Sequence, residues 1–309
     1  MARTARFKIE DQETFYHLYA RTSGPLDQYP LQEQAAKREL IRILHKYAEV
    51  YYCELATYCV LGNHYHVVIK FEQRRPVEEG ELRDRARKLY PGKAGAEMVA
   101  RWTEVEWKRL ERRLFDVSEY MRNVQSRFAV WYNRTYGRRG RFWAGRFKST
   151  VLSDMESVLE CMVYVDLNAV RAGLVERPED WEAGALYQRE IGRDKGLMRL
   201  EAVTGSEGKE ALREYKGYVY HRGGVATRVG QKAISEEVIR KEEARGFRGR
   251  GIYMKRLRYF TDGVAIGTEV FIRQQIVKLR EKGQYMRRVN PIPQLEGFIF
   301  SLREQRGQA

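Results

Sequence analysis

The sequence predicts a mixed α/β (α+β) fold, and two patterns carry that expectation. Short stretches at 14–21, 54–61, 64–71 and 142–152 have the alternation and residue types of strands. Longer stretches at 32–48, 117–133 and from Ser153 to about Val170 place apolar residues at helical spacing. The two kinds interleave over the first 170 residues.

The first strand, Thr14 to Arg21, ends at Ser23-Gly24-Pro25. The helix at 32–48 offers Ala35, Leu40, Ile43, Leu44 and Tyr47 to a core. Strands 54–61 and 64–71 flank Gly62-Asn63, a turn composition that signals a hairpin. Residues 77–115 are highly charged and read as a helical insertion interrupted at Pro91-Gly92. In the helix at 117–133, Val117, Met121, Val124, Phe128 and Trp131 form one stripe, with Arg122, Gln125, Arg127 and Asn133 off it. A basic, glycine-rich loop (134–141) leads into the strand at 142–152. Ser153 and Glu156 have capping-box spacing ahead of the next helix. Residues 178–181 read as a loop, 186–235 as mixed, 235–246 as a charged helix, and 267–282 as a helix after a short apolar segment. Residues 245–258 are the strongest basic run, either a linker or a second DNA contact.

Composition narrows the partners. Lys and Arg number 57 against 42 Asp and Glu, a net charge of +15. Such a surplus favours a polyanion, usually nucleic acid, through counterion release. No apolar run reaches the roughly 18 residues of a spanning helix, and the N-terminus lacks a signal-peptide core. A membrane partner is therefore not expected. The cysteines, Cys53, Cys59 and Cys161, have no Cys-x-x-Cys spacing. They point to a reducing, cytoplasmic setting, with nucleoid association when DNA is bound, and to no zinc ribbon.

The hairpin carries the chemistry. His64, His66, Val68 and Lys70 share one face of the second strand, and Tyr65, Val67, Ile69 and Phe71 the other. The apolar face is expected in the core, with the imidazoles pointing out on the other side. They stand roughly 6–7 Å apart along the strand, a separation one metal ion can bridge. The alternative is two half-buried histidines that happen to alternate. On the helix after Ser153, Glu160, Tyr164, Asn168 and Arg171 lie off the apolar stripe, so Tyr164 and Asn168 project together. A tyrosine there also serves as filler at a sheet–helix boundary. Two histidines plus an amide oxygen make an open three-ligand site for a divalent metal, Mg²⁺ or Mn²⁺, and zinc also fits. A tyrosine one turn away would sit beside a metal-polarised phosphate and attack it, giving a phosphotyrosine link.

These residues bear a family likeness. Asn63-His64-Tyr65-His66 resembles the His-hydrophobic-His motif of the HUH endonuclease superfamily. Tyr164 to Val175 resembles the catalytic helix of its single-tyrosine transposases, most of all the branch associated with repetitive extragenic palindromes (REP). Ser118–Asn133 and Gly140–Ser149 resemble that branch's middle segment, so the likeness spans about residues 14–181. It implies a ferredoxin-like antiparallel sheet with helices on one face. It also implies cleavage of single-stranded DNA near a hairpin, leaving a 5′-phosphotyrosine and a free 3′-hydroxyl. Matched residue by residue, it makes Tyr164 the nucleophile and His64, His66 and Asn168 the metal ligands. Gly62 and Ala169 stand where the family has prolines, and neither change removes a chemical group. Tyr65 is bulkier than the usual middle residue and is expected on the core side.

The expected organisation is a catalytic domain at 1–185 and a basic accessory region at 186–309. DNA contacts are expected from Arg21, Lys70, Arg122, Arg127, Arg138, Arg139, Arg141, Trp143, Arg146, Lys148 and Arg171, with Phe142 and Trp143 stacking on bases. The partner is single-stranded or hairpin DNA, bound by a monomer or homodimer. Two other readings stay open: a catalytically silent, domesticated hairpin-binding module, and a metal-dependent hydrolase using the two histidines and an acid such as Asp166.

Overall fold

Among the described residues, seven strands pair into one sheet, in the order second, third, first, fourth, fifth, seventh and sixth along the chain. The computed structural model describes residues 7–25, 27–226, 230–244, 246, 265–281, 288–291 and 297–301. The first four strands are β1 (Thr14–Arg21), β2 (Cys53–Val60), β3 (His64–Phe71) and β4 (Lys148–Leu152). Helix α1 (Gln34–Ala48) links β1 to β2. Between β3 and β4 lie α2 (Glu79–Leu89), α3 (Lys93–Ala100), α4 (Glu104–Leu114) and α5 (Val117–Thr135). With α1 and α5 as its two crossover helices, this is the βαββαβ arrangement of a ferredoxin-like fold. β1 is antiparallel to both β3 and β4. The expected 77–115 insertion is helical and interrupted at Pro91-Gly92, with a second break ahead of α4. Thr103 and Glu106 form a capping box that restarts the chain as α4.

Alternation along the strands fills two cores. Tyr16, Leu18 and Ala20 of β1 join Tyr65, Val67, Ile69 and Phe71 of β3 in a cluster with Leu40, Leu44, Val124 and Phe128 of α1 and α5. Phe15, Val68 and Leu152 face the other way, onto α6 (Met155–Asp166) and α10 (Gly208–Gly223). Helices thus cover both faces, a correction to the expectation of one helical face. α6 is itself apolar enough to need a second core, with Val158, Leu159, Cys161, Met162, Val163 and Val165 all buried. Its cap is Asp154, which accepts from the Ser157 amide at 2.8 Å, rather than the Ser153–Glu156 box. The short α7 (Asn168–Arg171) follows after one interrupting residue.

Past residue 178 come a 3₁₀ turn (Pro178–Asp180), α8 (Ala185–Glu190) and α9 (Glu201–Thr204). After α10 come α11 (Glu236–Glu243), β5 (Ala265–Thr268), α12 (Glu269–Glu281), β6 (Arg288–Pro291) and β7 (Gly297–Ser301). The Met198 amide donates to the Leu55 carbonyl of β2 at 2.8 Å. β5 pairs in parallel with β4, which makes the sheet mixed rather than purely antiparallel. The short apolar segment ahead of the last predicted helix is β5 itself. The basic run at 245–258 lies outside the described residues, apart from Gly246. Among the described residues, no helix is long and apolar enough to cross a membrane.

Two local features set the position of the site. The Gly62-Asn63 turn is tight: the Leu61 amide donates to the His64 carbonyl at 2.9 Å. A Cβ on Gly62 would stand 2.8 Å from the Tyr29 ring, so glycine is what the packing admits here. At the other feature, residues 142–147 are not strand. Phe142 and Trp143 turn inward instead, and β4 begins only at Lys148.

Candidate active site

Register places the site's residues on the α6 face of the central strands. β1 presents His17, Tyr19 and Arg21 there, β3 presents His64 and His66, and β4 presents Lys148 and Thr150. Tyr19 pairs with His66 and with Lys148, Arg21 with His64, and His17 with Thr150. Tyr164 of α6 lies over this patch, its ring 5.5 Å from that of His66 and 5.9 Å from that of His17, both edge-to-face. The rings of His64 and His66 are 5.3 Å apart. Tyr19 lies among them, 5.6 Å from His64 and 5.0 Å from His66. Tyr164, His64 and Asn168 are half-buried, while His17 and His66 are each 1% exposed.

Each predicted ligand has one polar atom committed. His64 Nδ1 stands 2.7 Å from Asn63 Oδ1, an acceptor, so the ring carries its proton there and keeps a lone pair on Nε2. His66 Nδ1 lies 3.0 Å from His17 Nε2. Asn168 gives its amide nitrogen to the carbonyls of Tyr164, at 2.8 Å, and Val165, at 3.2 Å. That leaves the Asn168 oxygen as its ligating atom. Burial, with the Arg21 guanidinium adding to it, pushes the His64 imidazole down to about 4. Burial, then the neighbouring His17 and His64 rings, pushes His66 well below the usual 6.5. Both imidazoles are therefore neutral at pH 7, the form a metal ion binds. Among the described residues no three His, Cys, Asp or Glu side chains gather around a metal position. By donor type, two neutral imidazoles and an amide oxygen suit a divalent cation.

The predicted DNA contacts divide into three groups. Arg21, Lys148 and Arg171 come to the site. Lys148 stands 5.7 Å above the Tyr19 ring, and the Arg171 guanidinium 5.5 Å above the Tyr164 ring. Arg138, Arg139, Arg141 and Arg146 ride on the loop that borders β1 at its Arg21 end, where the Ala144 amide donates to the Arg21 carbonyl. Arg138 turns back onto Ser23 Oγ at 3.1 Å, and Arg139, Arg141 and Arg146 are exposed. The remaining four are not brought to it. Lys70 is ion-paired with Glu54 at 2.7 Å and Glu13 at 3.5 Å. Arg122, bonded to Glu119, and Arg127 are on α5, across the sheet. Trp143 is 7% exposed and donates its indole N–H to the Gln125 carbonyl at 2.9 Å. Neither it nor the buried Phe142 offers a face to a base, because both fill the gap under the basic loop against Phe128.

Asp166, the acid of the hydrolytic reading, is buried with both oxygens engaged. Thr57 donates to one at 2.5 Å and Tyr215 to the other at 2.6 Å. Burial lifts its carboxyl to about 6 despite those two bonds. The residues that sequence reasoning missed are His17 and Tyr19. Period-two alternation, applied to the strand at 14–21, puts His17, Tyr19 and Arg21 on one face, and that was the available signal.

No family model matches the chain, and no curated protein matches it. Among solved structures, a REP-associated tyrosine transposase bound to a REP hairpin matches with a TM-score of 0.42 and 16% identity. The match covers 64% of this chain and 89% of that one.

Proposed function

We propose that this protein is a metal-dependent DNA strand transferase that uses Tyr164 as nucleophile on single-stranded DNA beside a hairpin. The observation that carries the reading is a convergence on one sheet face. A half-buried tyrosine lies over two neutral imidazoles there, and an amide four residues on bonds to that tyrosine's own carbonyl. Arg21, Lys148 and Arg171 surround them with positive charge.

In this reading His64, His66 and the Asn168 oxygen hold Mg²⁺ or Mn²⁺, which when bound polarises a phosphate oxygen. The Tyr164 oxygen forms a bond to phosphorus and the bond to the 3′ oxygen breaks. The phenol gives up its proton and the departing 3′ oxygen takes one, leaving a 5′-phosphotyrosine and a 3′-hydroxyl. A tyrosine ordinarily ionises near 10, and the Arg171 guanidinium stands 5.5 Å over the Tyr164 ring. The link conserves the phosphodiester's bond energy, so a 3′-hydroxyl from another end can reverse the step. That reversal is strand transfer.

The test is a denaturing gel. Labelled hairpin DNA from the gene's own flanks is mixed with protein and Mn²⁺ or Mg²⁺. A slow-migrating, protease-sensitive band that disappears in Tyr164→Phe and in chelator supports the proposal. Hairpin binding without any such band in either metal overturns it in favour of a silent binding module.

A further inference from the structure

Burying an imidazole at the centre of a sheet needs a reason, because an apolar side chain would fill the same space without a polar atom to satisfy. His17 is 1% exposed on β1, beside Val68 and Thr150 in the register. Its Nε2 is 3.0 Å from Nδ1 of His66, and the two rings lie parallel within 4°, centroids 5.1 Å apart. The partner of this contact is a diagonal neighbour on the next strand, within reach of an aromatic side chain. The same His17 ring sets its edge against Tyr164, at 5.9 Å and 86°. One buried side chain thus touches both a proposed metal ligand and the proposed nucleophile.

We infer that His17 is a positioning residue, which fixes the tautomer and ring orientation of His66 so that Nε2 of His66 faces the metal. The inference rests on the reading of the site given above. Without a partner at Nδ1, the His66 ring could turn over and exchange the atom it presents. In the tautomer this requires, Nδ1–H of His66 donates to His17 Nε2 across the 3.0 Å contact, and the lone pair is left on His66 Nε2. Partners of this kind, behind metal-bound histidines, orient the ring and raise its basicity. His64 has the equivalent support from Asn63 Oδ1. His17 differs in reaching the tyrosine as well.

The test uses the full chain and Mn²⁺ alone, titrated by calorimetry without DNA. His17→Leu is expected to weaken Mn²⁺ binding by about 10–100-fold. His17→Gln, whose amide reaches the same position as Nε2, is expected to restore most of it. A folded His17→Leu that binds Mn²⁺ as the wild type does would overturn the inference and leave the proposed function standing. A wild type that takes up no Mn²⁺ would overturn both. If His17→Leu does not fold, the long-range ¹H–¹⁵N imidazole spectrum of the metal-free wild type decides. A His66 proton on Nδ1 supports the inference, and one on Nε2 overturns it.

Discussion

Trp143 has its ring in the core and its indole N–H on the Gln125 carbonyl, so its loss is expected to be felt first as stability. Trp143→Ala is expected to cost about 3–5 kcal/mol, measured by urea unfolding, with hairpin affinity of the folded protein unchanged within a few-fold. A base-stacking tryptophan would show the opposite pattern. At the proposed metal site, Asn168→Ala removes the proposed third donor oxygen while the buried stripe of α6 stays intact. Adduct formation is expected to fall and to recover only in part at high Mn²⁺, read on the same gel with thermal melts alongside. The four residues of the proposed chemistry were legible because each declares itself by type and spacing: two histidines two apart on a strand, a tyrosine and an asparagine four apart on a helix. His17 was not. A lone histidine among apolar neighbours gives no sign of its partner, because His66 lies 49 positions away and meets it only through the pairing of β1 with β3.

Helices and strands of the first 170 residues were legible from periodicity, and the departures have local causes. β4 starts at Lys148 rather than Phe142 because two aromatics in a row, Phe142 and Trp143, both turn into the core. Strand alternation would have left one of them outside. α6 covers the second sheet face because its apolar residues run nearly all round, a pattern that a single stripe does not describe. The basic loop at 134–141 packs along the end of β1, next to Arg21, whereas α5 lies across the sheet. The account therefore predicts different salt behaviour for the two elements. Replacing Arg139 and Arg141 by serine is expected to weaken hairpin binding. It is also expected to reduce the slope of log affinity against log salt by about 0.7 per lost phosphate contact. Arg122→Ala and Arg127→Ala on α5 should leave that slope where it is. Equal effects from both elements would contradict the placement of DNA on the α6 side.

Across the whole molecule, residues 177–242 are tied to one another by a buried ionic network that no local pattern announces. Glu179 is bonded to Arg177 at 2.8 Å, to Lys216 at 2.9 Å and to the Tyr220 hydroxyl, and Glu242 of α11 pairs with Arg177 at 2.8 Å. Burial by itself would raise the Glu179 carboxyl, but Arg177 and Lys216 together hold it below its ordinary 4.5. A carboxyl lowered on folding stabilises the fold above its unfolded value and loses that contribution as pH falls through its folded value. Melting temperature is therefore expected to drop as pH is taken below about 4.5, with part of the drop absent in Glu179→Gln. The members of this network span residues 177–242, so sequence alone showed only scattered charges there. The central claim concerns one atom, the Tyr164 oxygen, and a mass spectrum tests it most directly. After reaction with hairpin DNA and Mn²⁺, nuclease and trypsin digestion should release the peptide 149–171, in which Tyr164 is the one tyrosine. The account predicts that this peptide carries a nucleotide remnant joined through phosphate at Tyr164. A DNA link on any other residue, or cleaved DNA with no linked peptide, would contradict it.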